Sequence, residues 1–113
     1  MDATIDTQQN GIAVVAFTGR LDFLSAASAR GRLADTVAQG SRRLVVDLGE
    51  TTFIDSSGLG ALIGGLKAAR KAGGDLRIAR PTEQARAVLA LTSLDRVFRF
   101  YPSVTEALAD YDA

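Results

Sequence analysis

Residues 53–65 read "FIDSSGLGALIGG": an acid and two adjacent hydroxyls, then four glycines threaded through an apolar, helix-like run. Those residue types admit four kinds of chemistry. A serine could attack a carbonyl, or the glycines could cradle a phosphate. The polar side chains could cap a helix, or one hydroxyl could itself carry a phosphate.

Nucleophilic catalysis is the weakest of these. The chain has no histidine and no cysteine, which removes a Ser-His-Asp triad, an imidazole base and a thiolate nucleophile. Lys67 and Lys71 would stand about three and four turns further along the same helix, too far to serve Ser56 or Ser57 as a base. No catalytic residue is assigned, and the chain is expected not to be an enzyme. The same absences remove the commonest metal ligands, so neither a metal site nor a cofactor is expected. A phosphate-binding loop fits better, because a Gly-rich helix start offers free N–H groups and a positive dipole end. Yet the stretch matches neither G-x-x-x-x-G-K-[ST] nor G-x-G-x-x-G, and no lysine stands at the phosphate position.

Capping by Asp55 or Ser56 would stabilise a helix start by about 1 kcal/mol. It accounts for a single polar side chain and leaves the others unexplained. Each glycine inside a helix costs about 1 kcal/mol relative to alanine, so the glycines also need a reason. Gly64 and Gly65 would let the helix approach a sheet. For Gly58 and Gly60, backbone approach by a partner and close internal packing both stand open.

The elements that must position this stretch follow from hydrophobic periodicity. Residues 4–8 and 12–18 read as strands flanking the turn "QNG". Asp22 can cap a helix whose apolar positions Leu24, Ala27, Leu33, Ala34 and Val37 recur at helical spacing, with Gly40 ending it. Residues 42–49 are β-branched and apolar, the pattern of a central strand buried on both faces. Leu59, Leu62, Ile63, Leu66 and Ala69 then mark one face of a helix over 57–72. Residues 75–80 alternate as a strand, and Thr82 caps a second helix with Glu83 and Gln84 in its first turn. Residues 97–101 form a last strand, and Ser103 with Glu106 opens a closing helix. The order ββαβαβαβα predicts a mostly parallel sheet covered by helices, an α/β fold. In such sheets the functional loops lie beyond the carboxyl ends of the strands. Residues 19–23 and 49–58 are such loops, and each carries an aspartate.

Length and charge bound the function. One domain over 1–113 is expected, and 113 residues can bury an ordinary core. Thirteen basic residues balance thirteen acidic ones, which argues against a nucleic-acid binder. Arg42, Arg43, Lys67 and Lys71 read as solvated. No apolar run reaches the roughly 18–20 residues of a membrane span, and "MDATIDTQQN" is too polar for a signal peptide. A cytoplasmic protein is expected, with no membrane or nucleic-acid partner.

A resemblance sharpens this reading. The run from Val45 to Leu108 is similar to the core of a STAS domain of the anti-sigma factor antagonist kind. It carries "DSSGLG" after a "VVDL" strand, "GG" before the next strand and "LTSLDRVFRFYPSVTEAL" at its end. "FTGRLDFLSA" (17–26) resembles the family's G-x-L-D segment, with Arg20 standing where many relatives carry Glu. The resemblance covers essentially the whole chain. It implies a single STAS-type domain with a mixed, mostly parallel sheet of about five strands and four helices.

It also implies a partner switch. In this family the first serine of D-S-[ST]-G is phosphorylated by a serine kinase that is also an anti-sigma factor; here that residue is Ser56. The unphosphorylated protein binds the kinase and frees the sigma factor, the phosphorylated form lets go, and a serine phosphatase resets it. Asp22, Asp55, Ser57, Gly58 and Leu59 are the implied partner-binding residues. Each also has a structural reading. Asp55 or Asp22 would cap a helix, Ser57 would bond the first helical N–H groups, and Leu59 would face either a partner or the core. The alternative function is a STAS module that binds a nucleotide or another small ligand, such as lipid, within a transport or sensory assembly.

Overall fold

A computed structural model describes residues 1–8 and 10–111. Gln9 of the expected turn lies outside the described residues, as do 112 and 113. Strand β1 (Asp2–Thr7) runs antiparallel to β2 (Ile12–Leu21), with Thr4 opposite Ala16. From β2 the sheet continues in parallel through β3 (Arg43–Asp47) and β5 (Asp75–Ala79) to the two-residue β6 (Phe100–Tyr101). The helices are α1 (Ala26–Ala38), α2 (Ser56–Lys71), α3 (Glu83–Leu91) and α4 (Val104–Tyr111).

The sheet has a sixth strand that hydrophobic periodicity does not announce. β4 (Thr51–Ile54) pairs in parallel with Gly19–Leu21, the far end of β2. Residues 49–58 are therefore not one loop. Thr51 pins the new strand through its buried hydroxyl, which donates to the Phe17 carbonyl at 2.8 Å. Expected strand 97–101 shrinks in turn to Phe100–Tyr101, because Leu94–Arg96 forms a 3-10 turn and Val97 and Phe98 follow it.

Strand alternation splits the core between the two faces. Ala13, Val15 and Phe17 of β2, with Leu44 and Val46 of β3, meet Leu33, Leu62, Leu66 and Leu89 of the first three helices. Ile12, Val45 and Ala79 point the other way, where Ala107 of α4 covers them. Central strand β3 is buried on both faces: Leu44, Val45 and Val46 supply its apolar run, and Asp47 at its end is buried in an ion pair with Arg80 at 2.9 Å. Gly65 makes α2 fit: a Cβ there would lie 2.6 Å from Leu33 and 3.0 Å from Leu76. Gly64 faces the Arg30 side chain of α1 instead of the sheet.

Two further expectations change. Helix α1 begins at Ala26 and buries Ala29, Leu33 and Thr36, so Ala27 and Ala34 of the expected face are exposed. Its start is set by the Asp22 carbonyl, which accepts from the Ser25 and Ala26 N–H groups at 3.0 and 2.8 Å and closes a turn first. Arg42 is solvated, but Arg43 is not: its guanidinium donates to the Asn10 carbonyl and lies 6.0 Å from the Tyr111 ring. Arg77 stacks on that ring at 3.8 Å, and the Tyr111 hydroxyl donates to the Leu44 carbonyl at 2.8 Å, locking α4 down.

Candidate functional site

Ser56 is exposed and is the first residue of α2, one position beyond the end of the strand-to-helix junction at Asp55. The junction is held from several sides. Asp55 is the N-cap: its Oδ1 accepts from the Gly58 N–H at 2.9 Å, and its carbonyl accepts from the Leu59 N–H at 2.9 Å. The Asp55 N–H donates to the Leu21 carbonyl at 3.3 Å, so β2 reaches the residue before Ser56. On the other side of β4, Gln84 of α3 supplies a side-chain substitute for a neighbouring strand. Its Oε1 accepts from the Ile54 N–H at 3.0 Å and its Nε2 donates to the Ile54 carbonyl at 2.8 Å.

The second oxygen of Asp55 leaves the helix. Oδ2 accepts from the Phe23 N–H at 3.1 Å and ties the β2–α1 loop to the head of α2. That loop is a closed knot of its own. The Asp22 N–H donates to Ser25 Oγ at 3.0 Å, Ser25 Oγ donates to the Arg20 carbonyl at 2.8 Å, and Asp22 Oδ1 accepts from the Leu24 N–H at 3.1 Å. Arg20 donates from Nε to Asp22 Oδ2 at 3.1 Å while its guanidinium stacks 4.3 Å from the Phe53 ring. That Arg20 contact, with the loop N–H of Leu24, holds the Asp22 carboxyl below its ordinary value of 3.8.

The sequence-derived site residues therefore fall into four groups. Ser56 and Asp55 stand at the surface junction, with Asp55 doing the capping. Asp22 is in the adjoining loop, where its carboxylate serves that loop and does not cap α1; Ser25 occupies the N-cap position of α1 without a side-chain cap bond. Ser57 is half-buried, and among the described residues Asp55, not Ser57, receives the helical N–H. Gly58 and Leu59 point inward. A Cβ on Gly58 would lie 2.1 Å from the Leu21 carbonyl oxygen, and Leu59 is 2% exposed in the main core. Close internal packing explains both, so neither offers a side chain to the outside. Gly60 is half-exposed, and its carbonyl accepts from Arg30 at 3.0 Å.

Two large apolar residues at this edge stand in solvent. Phe23 and Leu24 are 77% and 88% exposed at the tip of the knotted loop, although Leu24 fits a helical face. The signal is present in "DFLS": an Asp and a Ser three apart close a turn through side-chain bonds and leave the two residues between them outside. Gln84 has no such local signal. Phe23, Ala27, Arg30, Gly31, Ser57 and Gly60 line a shallow groove that runs from the tip between α1 and α2.

Chemically, the edge offers a hydroxyl at a helix N-terminus, and the carboxylate beside it, Asp55, is engaged by the Gly58 and Phe23 N–H groups. Among the described residues no group of three or more His, Cys, Asp or Glu could hold a metal ion, and no helix is long and apolar enough to cross a membrane.

With this geometry in hand, the likeness to known proteins is specific. The STAS domain family model matches residues 4–107. RsfB of Mycobacterium tuberculosis, an anti-sigma-F factor antagonist, is 30% identical over 102 residues, 88% of this chain and 80% of RsfB. A Thermotoga maritima protein provisionally assigned as an anti-sigma factor antagonist is 32% identical over 72 residues; the match spans 64% of this chain and 64% of that relative's length. The unphosphorylated form of the anti-sigma factor antagonist SpoIIAA superposes with a TM-score of 0.85 at 19% identity, over 98% of this chain and 96% of that one. Its phosphorylated form from Bacillus gives 0.77 at 19% identity, over 97% and 99%. The chain belongs to the STAS domain family, among the anti-sigma factor antagonists.

Proposed function

We propose that this protein is a phosphorylation-controlled antagonist that binds an anti-sigma factor with serine kinase activity and is released when that kinase phosphorylates Ser56. The observation that carries the reading is the exposed Ser56 hydroxyl at the head of α2, on a junction braced by Asp55, Leu21 and Gln84. RsfB and SpoIIAA, whose names give them the antagonist role, and the existence of SpoIIAA in a phosphorylated form support the same reading.

The physics suits a switch that leaves the fold alone. A phosphate adds about −1.5 to −2 charges at pH 7, and a helix N-terminus favours negative charge. Asp55 already occupies the Gly58 N–H, so the phosphate stays outside, where it changes the surface and not the core. A partner that covers Ser56 must then desolvate an unpaired dianion, which costs several kcal/mol and reverses binding of ordinary strength. A serine phosphatase removes the group and restores the binding form. The protein works by binding in the cytoplasm and turns over no substrate.

The test is tandem mass spectrometry after incubation with ATP and each purified anti-sigma kinase of the source organism, together with titrations of wild type, Ser56→Ala and Ser56→Asp. Ser56→Ala should bind permanently and Ser56→Asp weakly. Phosphate found at Ser57 or a threonine but never at Ser56, or equal affinity for all three proteins, ends this reading.

A further inference from the structure

We infer that Phe23 and Leu24 form the apolar anchor that seats the anti-sigma partner, with Ser56 as the gate beside it. This rests on the partner-switch reading and adds to it where the binding energy comes from. Phe23 and Leu24 are 77% and 88% exposed, next to each other at the tip of one loop. Single apolar residues on a surface need no explanation. A large aromatic and a leucine held outward together by a rigid loop do.

The loop is not loose. The Asp22–Ser25 exchange fixes its base, the Asp22 carboxylate takes the Leu24 N–H, and the Asp55 carboxylate takes the Phe23 N–H. Both tip residues thus have their own backbone N–H groups bonded to aspartates while their side chains face solvent. Such preorganisation lowers the ordering cost of binding, and a large side chain that fills a desolvated pocket of the partner can carry much of the binding energy.

Continuity with Ser56 is direct. Asp55 is the residue before Ser56 and the acceptor for Phe23, and the groove beside the tip is lined by both Phe23 and Ser57. A partner that covers Phe23 and fills this groove meets Ser57, the residue after Ser56. Small residues along the groove, Ala27, Gly31 and Gly60, allow close approach, and Arg30 gives it one cationic wall. The occupant that fits is a protein surface with an apolar recess and an acidic residue facing Arg30. A membrane fits less well, because the tip exposes only two apolar side chains and Arg20 beside it is already paired with Asp22.

The experiment uses the full chain with Phe23→Ser, Leu24→Ser and the double variant. All are surface changes, and circular dichroism and urea melts check that the fold is kept. Calorimetric titration against each purified anti-sigma kinase should show the double variant weakened by about 100-fold or more. Ser56 should still be phosphorylated at saturating kinase, with the loss in KM and not in kcat. Double-variant affinity equal to wild type, while Ser56→Asp still weakens binding, overturns the anchor and leaves the switch standing. Weakening by the tip variants with no effect of Ser56→Asp or of phosphate keeps the anchor and removes the switch. If no kinase binds wild type, both fall. Light scattering that shows a wild-type dimer lost in the double variant, or binding to phosphatidylcholine–phosphatidylglycerol vesicles lost in it, gives the surface to a second copy or a membrane and overturns the assignment.

Discussion

The Asp55 carboxylate joins Phe23 to the head of α2: one oxygen accepts from the Phe23 N–H at 3.1 Å and the other from the Gly58 N–H at 2.9 Å. One side chain thereby caps the helix that begins with Ser56 and fixes a loop 32 residues away in sequence. Asp55→Ala should lose both bonds and destabilise by about 1–2 kcal/mol, the range for a removed N-cap acceptor. Asp55→Asn, which keeps an acceptor for Gly58, should recover most of that loss. Urea denaturation measures both, and equal stability of Asp55→Ala and wild type would refute the double role.

Ser56 should behave in the opposite way. It is exposed and contributes no side-chain bond among the described residues, so Ser56→Ala and Ser56→Asp should each change stability by less than about 0.5 kcal/mol, as surface sites do. A loss of several kcal/mol in either would mean that the hydroxyl holds the junction, and a binding defect could then not be read as a switch.

Neighbouring glycines should respond with opposite signs. A Cβ on Gly58 would meet the Leu21 carbonyl oxygen at 2.1 Å, a backbone atom paired to Asp55. Gly58→Ala should destabilise by about 1–3 kcal/mol or more, the cost of forcing atoms into a packed site. At Gly60 the nearest atom to a Cβ is Arg30 Nη2 at 3.6 Å, ordinary contact. There Gly60→Ala should stabilise α2 by up to about 1 kcal/mol. Thermal melts of the two variants test the contrast, and shifts of the same sign would contradict it.

Leu62 is fully buried between α2 and the sheet. Leu62→Ala should cost about 2–5 kcal/mol. A change under about 0.5 kcal/mol would place that helix face in solvent.

Acid should act on two carboxyls. The Tyr101 hydroxyl, with Arg77 and Arg99, holds the Asp110 carboxyl below its ordinary 3.8, and Arg20 does the same for Asp22. A carboxyl depressed by folding adds stability that is complete above its unfolded value and is lost as pH falls through its folded one. The contribution should therefore be level from about pH 5 upward and decline below about pH 4. Asp110→Asn should be less stable than wild type at neutral pH, and the difference should shrink in acid. A difference that stays constant down to pH 2 would show that the Asp110 charge is not involved.

The junction at Asp55 is legible in the amino-acid sequence because a helix start is local. The periodicity of Leu59, Leu62, Ile63 and Leu66 sets the face of α2, and an acid followed by hydroxyls marks where it begins. For the same reason Thr82 and Ser103 cap as expected, accepting from Ala85 and Glu106 N–H groups at 3.2 and 3.1 Å. The apolar runs at 12–17 and 44–46 likewise mark strands that are buried in the sheet.

What tertiary structure alone decided lies wherever a residue's partner is remote in sequence. The strand Thr51–Ile54 is too short to announce itself and exists because Gly19–Leu21 offers one edge and Gln84 fills the other. Leu59 and Gly58 could have faced a partner; instead Leu21 and Ile54 pass directly beneath Gly58, and Leu59 joins the main core. Leu24 fits a helical face, yet it stays outside because Asp22, Ser25 and Asp55 close the loop before α1 begins. Local sequence sets periodicity and caps because both depend on neighbours within about four residues along the chain. Burial depends on which distant segments arrive, and that is settled only when the sheet assembles.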